Sequence, residues 1–86
     1  MNIEEEIKKY EEEIKALNLV KGLNLNSKQT AQVIGVSPST IEEWRKNGLG
    51  VEYIAVPCLG KKKIARCLYP IKNIARWMVV NQIKTA

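Results

Sequence analysis

The chain contains no histidine and no phenylalanine, and only two cysteines and three prolines among 86 residues. Without an imidazole there is no His general base, no Ser-His or Cys-His nucleophile and no His-ligated zinc. The two cysteines, Cys58 and Cys67, are too few for a structural zinc site and lack Cys-x-x-Cys spacing. No metal and no cofactor is therefore expected. The Ser, Cys and Glu residues form no nucleophile-and-base constellation, so the chain is read as non-enzymatic. Uncharged apolar runs such as Trp77–Val80 are far too short for a bilayer, and no membrane association is expected. Met1-Asn2-Ile3 leads straight into Glu4, Glu5 and Glu6, which is neither a basic nor an apolar leader. A cytoplasmic location with reduced cysteines is expected, a disulfide across two hairpin strands being the alternative.

A chain of this length holds one domain and buries only roughly 60–65% of its unfolded surface. That leaves little room for a deep cleft. Its 14 Lys and Arg exceed its 9 acidic residues by five, but the excess is unevenly placed. Residues 1–22 carry six Glu and four Lys, whereas residues 23–86 carry three Glu and ten Lys or Arg. The larger part is strongly basic, and a basic domain without an enzyme's apparatus points first to nucleic acid.

The acidic part repeats a heptad, EEEIKKY followed by EEEIKAL. Ile3, Ile7, Tyr10, Ile14 and Leu17 recur at spacings of four and three, which places them on one stripe of a helix. Glu4–Lys8, Glu5–Lys9 and Glu11–Lys15 stand four apart in the favourable order, each pair worth about 0.2–0.5 kcal/mol. Gly22 is the expected C-cap, giving an amphipathic N-terminal helix over residues 1–22. Its stripe either dimerises as a short coiled coil or packs on its own domain or on a partner.

Residues 23–86 read as a second unit. Asn26 followed by Gln29 has capping-box character and opens a helix through Ile34. Gly35 supplies a turn with positive φ, Ser37 caps the next helix and Pro38 takes its first position. That helix is expected to run through Trp44 to Asn47 and stop at Gly48. Ala31 is small where two such helices approach, and Val33, Ile34, Val36, Ile41 and Trp44 supply the apolar contact. This is a helix-turn-helix pattern. Tyr53–Val56 and Ile64–Tyr69 read as strands about a turn at Leu59-Gly60-Lys61-Lys62. A last helix follows Pro70, with Ile71, Ile74, Ala75, Met78 and Val79 on one face. The fold expected is mainly α with a small β-hairpin: a winged helix-turn-helix preceded by an amphipathic helix.

Residues 25–77, beginning LNSKQTAQVIGVSPSTIEEWRKNG and ending YPIKNIARW, resemble the winged-helix domains of phage and transposon excisionases and of MerR-type regulators. The resemblance rests on Leu25, Gly35-Val36-Ser37, Ser39-Thr40-Ile41, Trp44, Gly48, the basic hairpin and Ile74-Ala75-Arg76-Trp77. It implies a small DNA-binding protein of a mobile element, acting as a recombination directionality factor or transcriptional regulator on double-stranded DNA. By that resemblance the second helix enters the major groove. Its outward positions here are Pro38, Ser39, Glu42, Glu43 and Lys46, and the candidate DNA contacts are Ser37, Ser39, Thr40, Glu43 and Lys46. Ser39 and Thr40 suit base or phosphate contact, Lys46 suits a phosphate, and a Glu can accept from cytosine N4. Two adjacent carboxylates also fit a solvated face, or a face that docks a basic protein. Lys61, Lys62, Lys63 and Arg66 on the hairpin suit phosphate or minor-groove contact, against the plainer reading of a solvated loop tip. Trp44 and Trp77 are read as core rather than as stacking platforms. The alternative function is an accessory subunit docked on a mobile element's replication or recombination enzyme.

Overall fold

The computed structural model describes residues 2–56 and 66–82. Seven elements follow in order: α1 (Ile3–Ala16), β1 (Asn24–Leu25), α2 (Ser27–Ile34), α3 (Pro38–Lys46), β2 (Ile54–Val56), β3 (Arg66–Pro70) and α4 (Ile71–Val80). The protein is mainly helical, with one small antiparallel sheet in the order β1-β3-β2. The helix-turn-helix, the strand pair behind it and the closing helix stand in the expected sequence.

Local chemistry accounts for the central elements. The Asn26 side chain accepts from the Gln29 backbone N–H at 2.7 Å, while the Asn26 N–H donates to Gln29 Oε1 at 3.0 Å. That reciprocal pair satisfies two donors that a helix start leaves open. Gly35 closes α2 at φ 92°, a left-handed conformation that costs glycine little, and its N–H donates to the Ala31 carbonyl at 2.8 Å. Two residues later Ser37 caps α3 with Pro38 at the first turn.

The N-terminal helix is shorter than its sequence suggests. It ends at Ala16 with Leu17 as C-cap, and Asn18 (φ 53°) takes the left-handed residue that Gly22 was expected to supply. Asn tolerates that conformation better than most side chains. Ending there frees residues 17–23 to bring the chain back as β1, where Leu25 pairs with Tyr69 and Asn24 with Pro70. This third strand has no counterpart in the sequence reading. The strands β2 and β3 pair from Ile54–Leu68 to Val56–Arg66. The turn expected between them, with Lys61, Lys62, Lys63 and Cys58, falls on residues outside the described ones. Cys67, on β3, has a free thiol and is half-buried.

One core unites both parts of the chain. Ile7 and Ile14 of α1 join Leu25, Ala31, Ile41, Val51, Tyr69, Ile71, Ile74, Ala75 and Val79 in a single buried cluster. Helix α1 packs chiefly on α4, whose apolar stripe would otherwise face water. The stripe on α1 is thus no free seam for dimerisation. Ile7 and Ile14 are buried within the chain, Tyr10 is half-buried and accepts from Gln82 Nε2 at 2.7 Å, and Ile3 and Leu17 stay exposed. The division into residues 1–22 and 23–86 does not follow the core.

Candidate nucleic-acid interface

Helix α3 has an inner face that fixes its position and an outer face left to solvent. Inside, Ile41 is 2% exposed and belongs to the same buried cluster as the 1% exposed Ala31 of α2, whose small side chain suits the close packing of the two helices. Trp44 is half-buried. Its ring lies 5.3 Å from that of Trp77 on α4, tilted by 35°, within the range of favourable aromatic pairs. Gly50 closes over the same indole. A Cβ placed there would stand 3.0 Å from Trp44 Cε3. Neither tryptophan is an open stacking platform, because each supplies the other's neighbour.

The outer face carries the residues expected from the sequence. Ser37, Pro38, Ser39, Glu42, Glu43 and Lys46 are exposed and Thr40 is half-exposed. Three hydroxyls converge at the helix start. Ser37 Oγ lies 3.0 Å from Ser39 Oγ and 2.9 Å from Thr40 Oγ1, and accepts from the Thr40 N–H at 3.3 Å. They sit where aligned peptide dipoles place partial positive charge, which suits an anion such as a phosphate. Glu42 and Glu43 lie one turn further along the same exposed surface.

Arg66 is exposed at the start of β3, paired with Val56. Lys28 on α2 and Lys72 and Arg76 on α4 add exposed cations. Arg45, by contrast, is half-buried, although its neighbours Lys46 and Glu43 point outward. The lysines of the hairpin tip lie outside the described residues.

Several structural residues behind this face were missed in the sequence. Thr30 is fully buried and donates to the Asn26 carbonyl at 2.8 Å, so it stays polar at no cost in unpaired groups. Val51 is buried, and Asn73 Nδ2 ties α4 to the Glu52 carbonyl at 3.2 Å. Tyr69 is 2% exposed and its hydroxyl has no hydrogen-bond partner. Burial pushes its pKa above the usual 10.0, and the Ser27 side chain opposes the shift without closing a well-formed hydrogen bond. Nothing in a periodic strand pattern marks a tyrosine whose ring, but not its hydroxyl, is accommodated.

Among the described residues no three His, Cys, Asp or Glu side chains converge as metal ligands, and no helix is long and apolar enough to cross a membrane. No protein-family model matches this chain, and no curated protein or solved structure shows significant similarity to it.

Proposed function

We propose that this chain is a non-enzymatic DNA-binding protein of the excisionase or MerR type, a recombination directionality factor or transcriptional regulator of a mobile element. The observation that carries the reading is the exposed outer face of α3, which opens on the three hydroxyls of Ser37, Ser39 and Thr40. In a major groove this end would meet phosphate, with Ser39 and Lys46 reaching toward bases and backbone. Arg66 and the lysines 61–63 would neutralise phosphates from the hairpin. The excess of ten cations over three carboxylates in residues 23–86 supplies the long-range attraction.

Fluorescence anisotropy on duplex and single-stranded probes at several salt concentrations tests the proposal. Wild type should prefer duplex and weaken as salt rises. Replacing Lys61, Lys62 and Lys63 by Ala should make the log affinity against log salt plot shallower by about 2–3 units, at roughly 0.9 per phosphate contact. Absence of salt-dependent binding to any probe would refute direct DNA recognition.

The adjacent exposed carboxylates Glu42 and Glu43 favour a second reading, in which α3 docks a basic surface on a replication or recombination enzyme. Glu42→Ala and Glu43→Ala separate the two. In a major groove the loss of an acceptor relaxes sequence preference. On a protein-docking face, DNA binding stays the same or improves slightly, because repulsion from phosphate is removed.

A further inference from the structure

Residues 17–23 join α1 to β1 and return the chain to the sheet. Asn18 makes the turn at φ 53°, the one non-glycine residue with positive φ among the described residues. The N–H groups of Leu17 and Asn18 donate to the Ile14 and Lys15 carbonyls, each at 3.1 Å, so the helix ends in a tightened turn. Leu17 and Leu23 at the two ends of the segment are 57% and 68% exposed. Another course is open to the same residues. The apolar heptad spacing reaches Leu17, and no proline or glycine interrupts a helix between Asn18 and Lys21. A helix that ran on to Lys21 would lengthen α1 by about 8 Å and remove the return that lays it on its own α4.

The contact made by α1 is separable from the rest of the fold. It packs chiefly on α4, with Ile7 and Ile14 in the core, and the Tyr10 hydroxyl accepts from Gln82 just beyond α4. Only the turn at Asn18 requires the two helices to belong to one chain. We propose that residues 17–23 are a hinge through which two copies of the chain exchange α1, each α1 covering the α4 of the other copy. The partner is a second copy because its α4 is the surface that the Ile7 and Ile14 stripe already fits. Exchanged and unexchanged states form the same buried contact and the same Tyr10–Gln82 hydrogen bond. The hinge therefore decides between them. Reciprocal exchange closes the assembly at two, and the opened hinges pass each other at the symmetry axis. Leu17 and Leu23 of both copies then meet in one new apolar contact. The exchange involves no residue of α3 and does not depend on the DNA-binding reading.

Refolding the full chain from urea at high and at low chain concentration tests the proposal. The concentrated sample should yield, beside the 9.8 kDa monomer, a species of twice that mass in size-exclusion chromatography. Because reversal requires the α1–α4 contact to open, that species should persist on dilution and be insensitive to salt. Refolding an equal mixture of isotopically labelled and unlabelled chains identifies the contact. Isotope-filtered NOE spectra of the dimer should show α1 methyls of labelled chains against α4 methyls of unlabelled ones. Asn18 is exposed, so substitutions there leave the core intact, which circular dichroism checks. Asn18→Gly accepts positive φ freely and disfavours a continuous helix, and should lower the dimerisation constant at least about tenfold. Asn18→Ala resists positive φ and favours the longer helix, and should raise that constant at least about tenfold. Monomer alone from both wild type and Asn18→Ala overturns the proposal. So does a dimer whose α1–α4 NOEs arise within one chain, or a pair of variants that shift the equilibrium in the same direction.

Discussion

Gly50→Ala probes how tightly α3 is held, and its cost divides into two parts that can be measured separately. Gly50 has φ +83°, a conformation that costs a residue with a Cβ about 1–2 kcal/mol. The added methyl would also stand 3.0 Å from Trp44 Cε3 and 3.1 Å from Trp44 Cβ. The indole has Trp77 beside it at 5.3 Å and cannot easily retreat. Overpacking of that kind costs about 1–3 kcal/mol, bringing the total to about 2–5 kcal/mol. Gly48 is the internal control, with φ +70° and open space around its Cβ position. Gly48→Ala should therefore cost only the conformational part, about 1–2 kcal/mol. Urea titrations followed by tryptophan fluorescence and far-ultraviolet circular dichroism would give both values, with the slope unchanged if two-state unfolding holds. Gly50→Ala should also shift the native tryptophan emission, which Gly48→Ala should leave alone. Equal destabilisation by the two substitutions would refute the argument that Gly50 is reserved for the Trp44 ring.

Two further substitutions, with a third at an exposed position as control, test the scaffold beneath the interface. Tyr69→Phe removes a buried hydroxyl that has no hydrogen-bond partner, so it should be neutral or stabilise the fold by up to about 1–3 kcal/mol in urea titrations at pH 7. Because the folded state raises the Tyr69 pKa, wild type holds that group's contribution below pH 10.0 and loses it as pH rises through the folded pKa. The alkaline decline in stability should accordingly be steeper in wild type than in the Phe variant. Asn26→Ala removes the side-chain acceptor of the capping box and should cost about 0.5–2 kcal/mol by thermal denaturation, whereas Ser39→Ala, at an exposed position, should leave stability nearly unchanged.

The elements legible in the sequence are those governed by neighbours along the chain. Asn26 with Gln29, Gly35, and Ser37 with Pro38 each act within a few residues, and they place α2 and α3 where the pattern puts them. Elements decided across the chain were harder to read. β1 has two residues and exists only because Leu25 meets Tyr69, a pairing 44 positions apart that no local pattern encodes. The end of α1 turned on whether Asn18 or Gly22 would take the left-handed residue, and both are acceptable on local grounds. The same division holds at the interface. Exposure of Ser39, Glu43 and Lys46 follows from helical periodicity, but the partial burial of Arg45 depends on neighbouring elements. Trp44 packs against the core as its helical position predicts, half-buried between Trp77 and Gly50.

The Trp44–Trp77 pair links the N-terminal helix to the interface. Trp44 of α3 lies against Trp77 of α4, and the opposite commitments of α4, with Ile74 and Ala75 fully buried, include the surface that α1 covers. Burying Ile7 and Ile14 contributes about 3–6 kcal/mol together, at about 1.5–3 kcal/mol for each side chain. Removal of α1 would forfeit that contribution and expose matching apolar surface on α4. A small domain has a total stability of about 5–15 kcal/mol, and this chain is short enough to fall near the lower end. Residues 23–86 alone should therefore lose most of their cooperative melt in circular dichroism, and the orientation of α3 should fail with α4. Ile14→Asp in the full chain should act in the same direction, because it places a carboxylate in the α1–α4 contact. If the 23–86 fragment melts cooperatively within a few degrees of the full chain, α1 is an appendage and the basic part is self-sufficient. A broad, early transition instead means that an acidic helix of opposite net charge is part of what holds the basic face in shape.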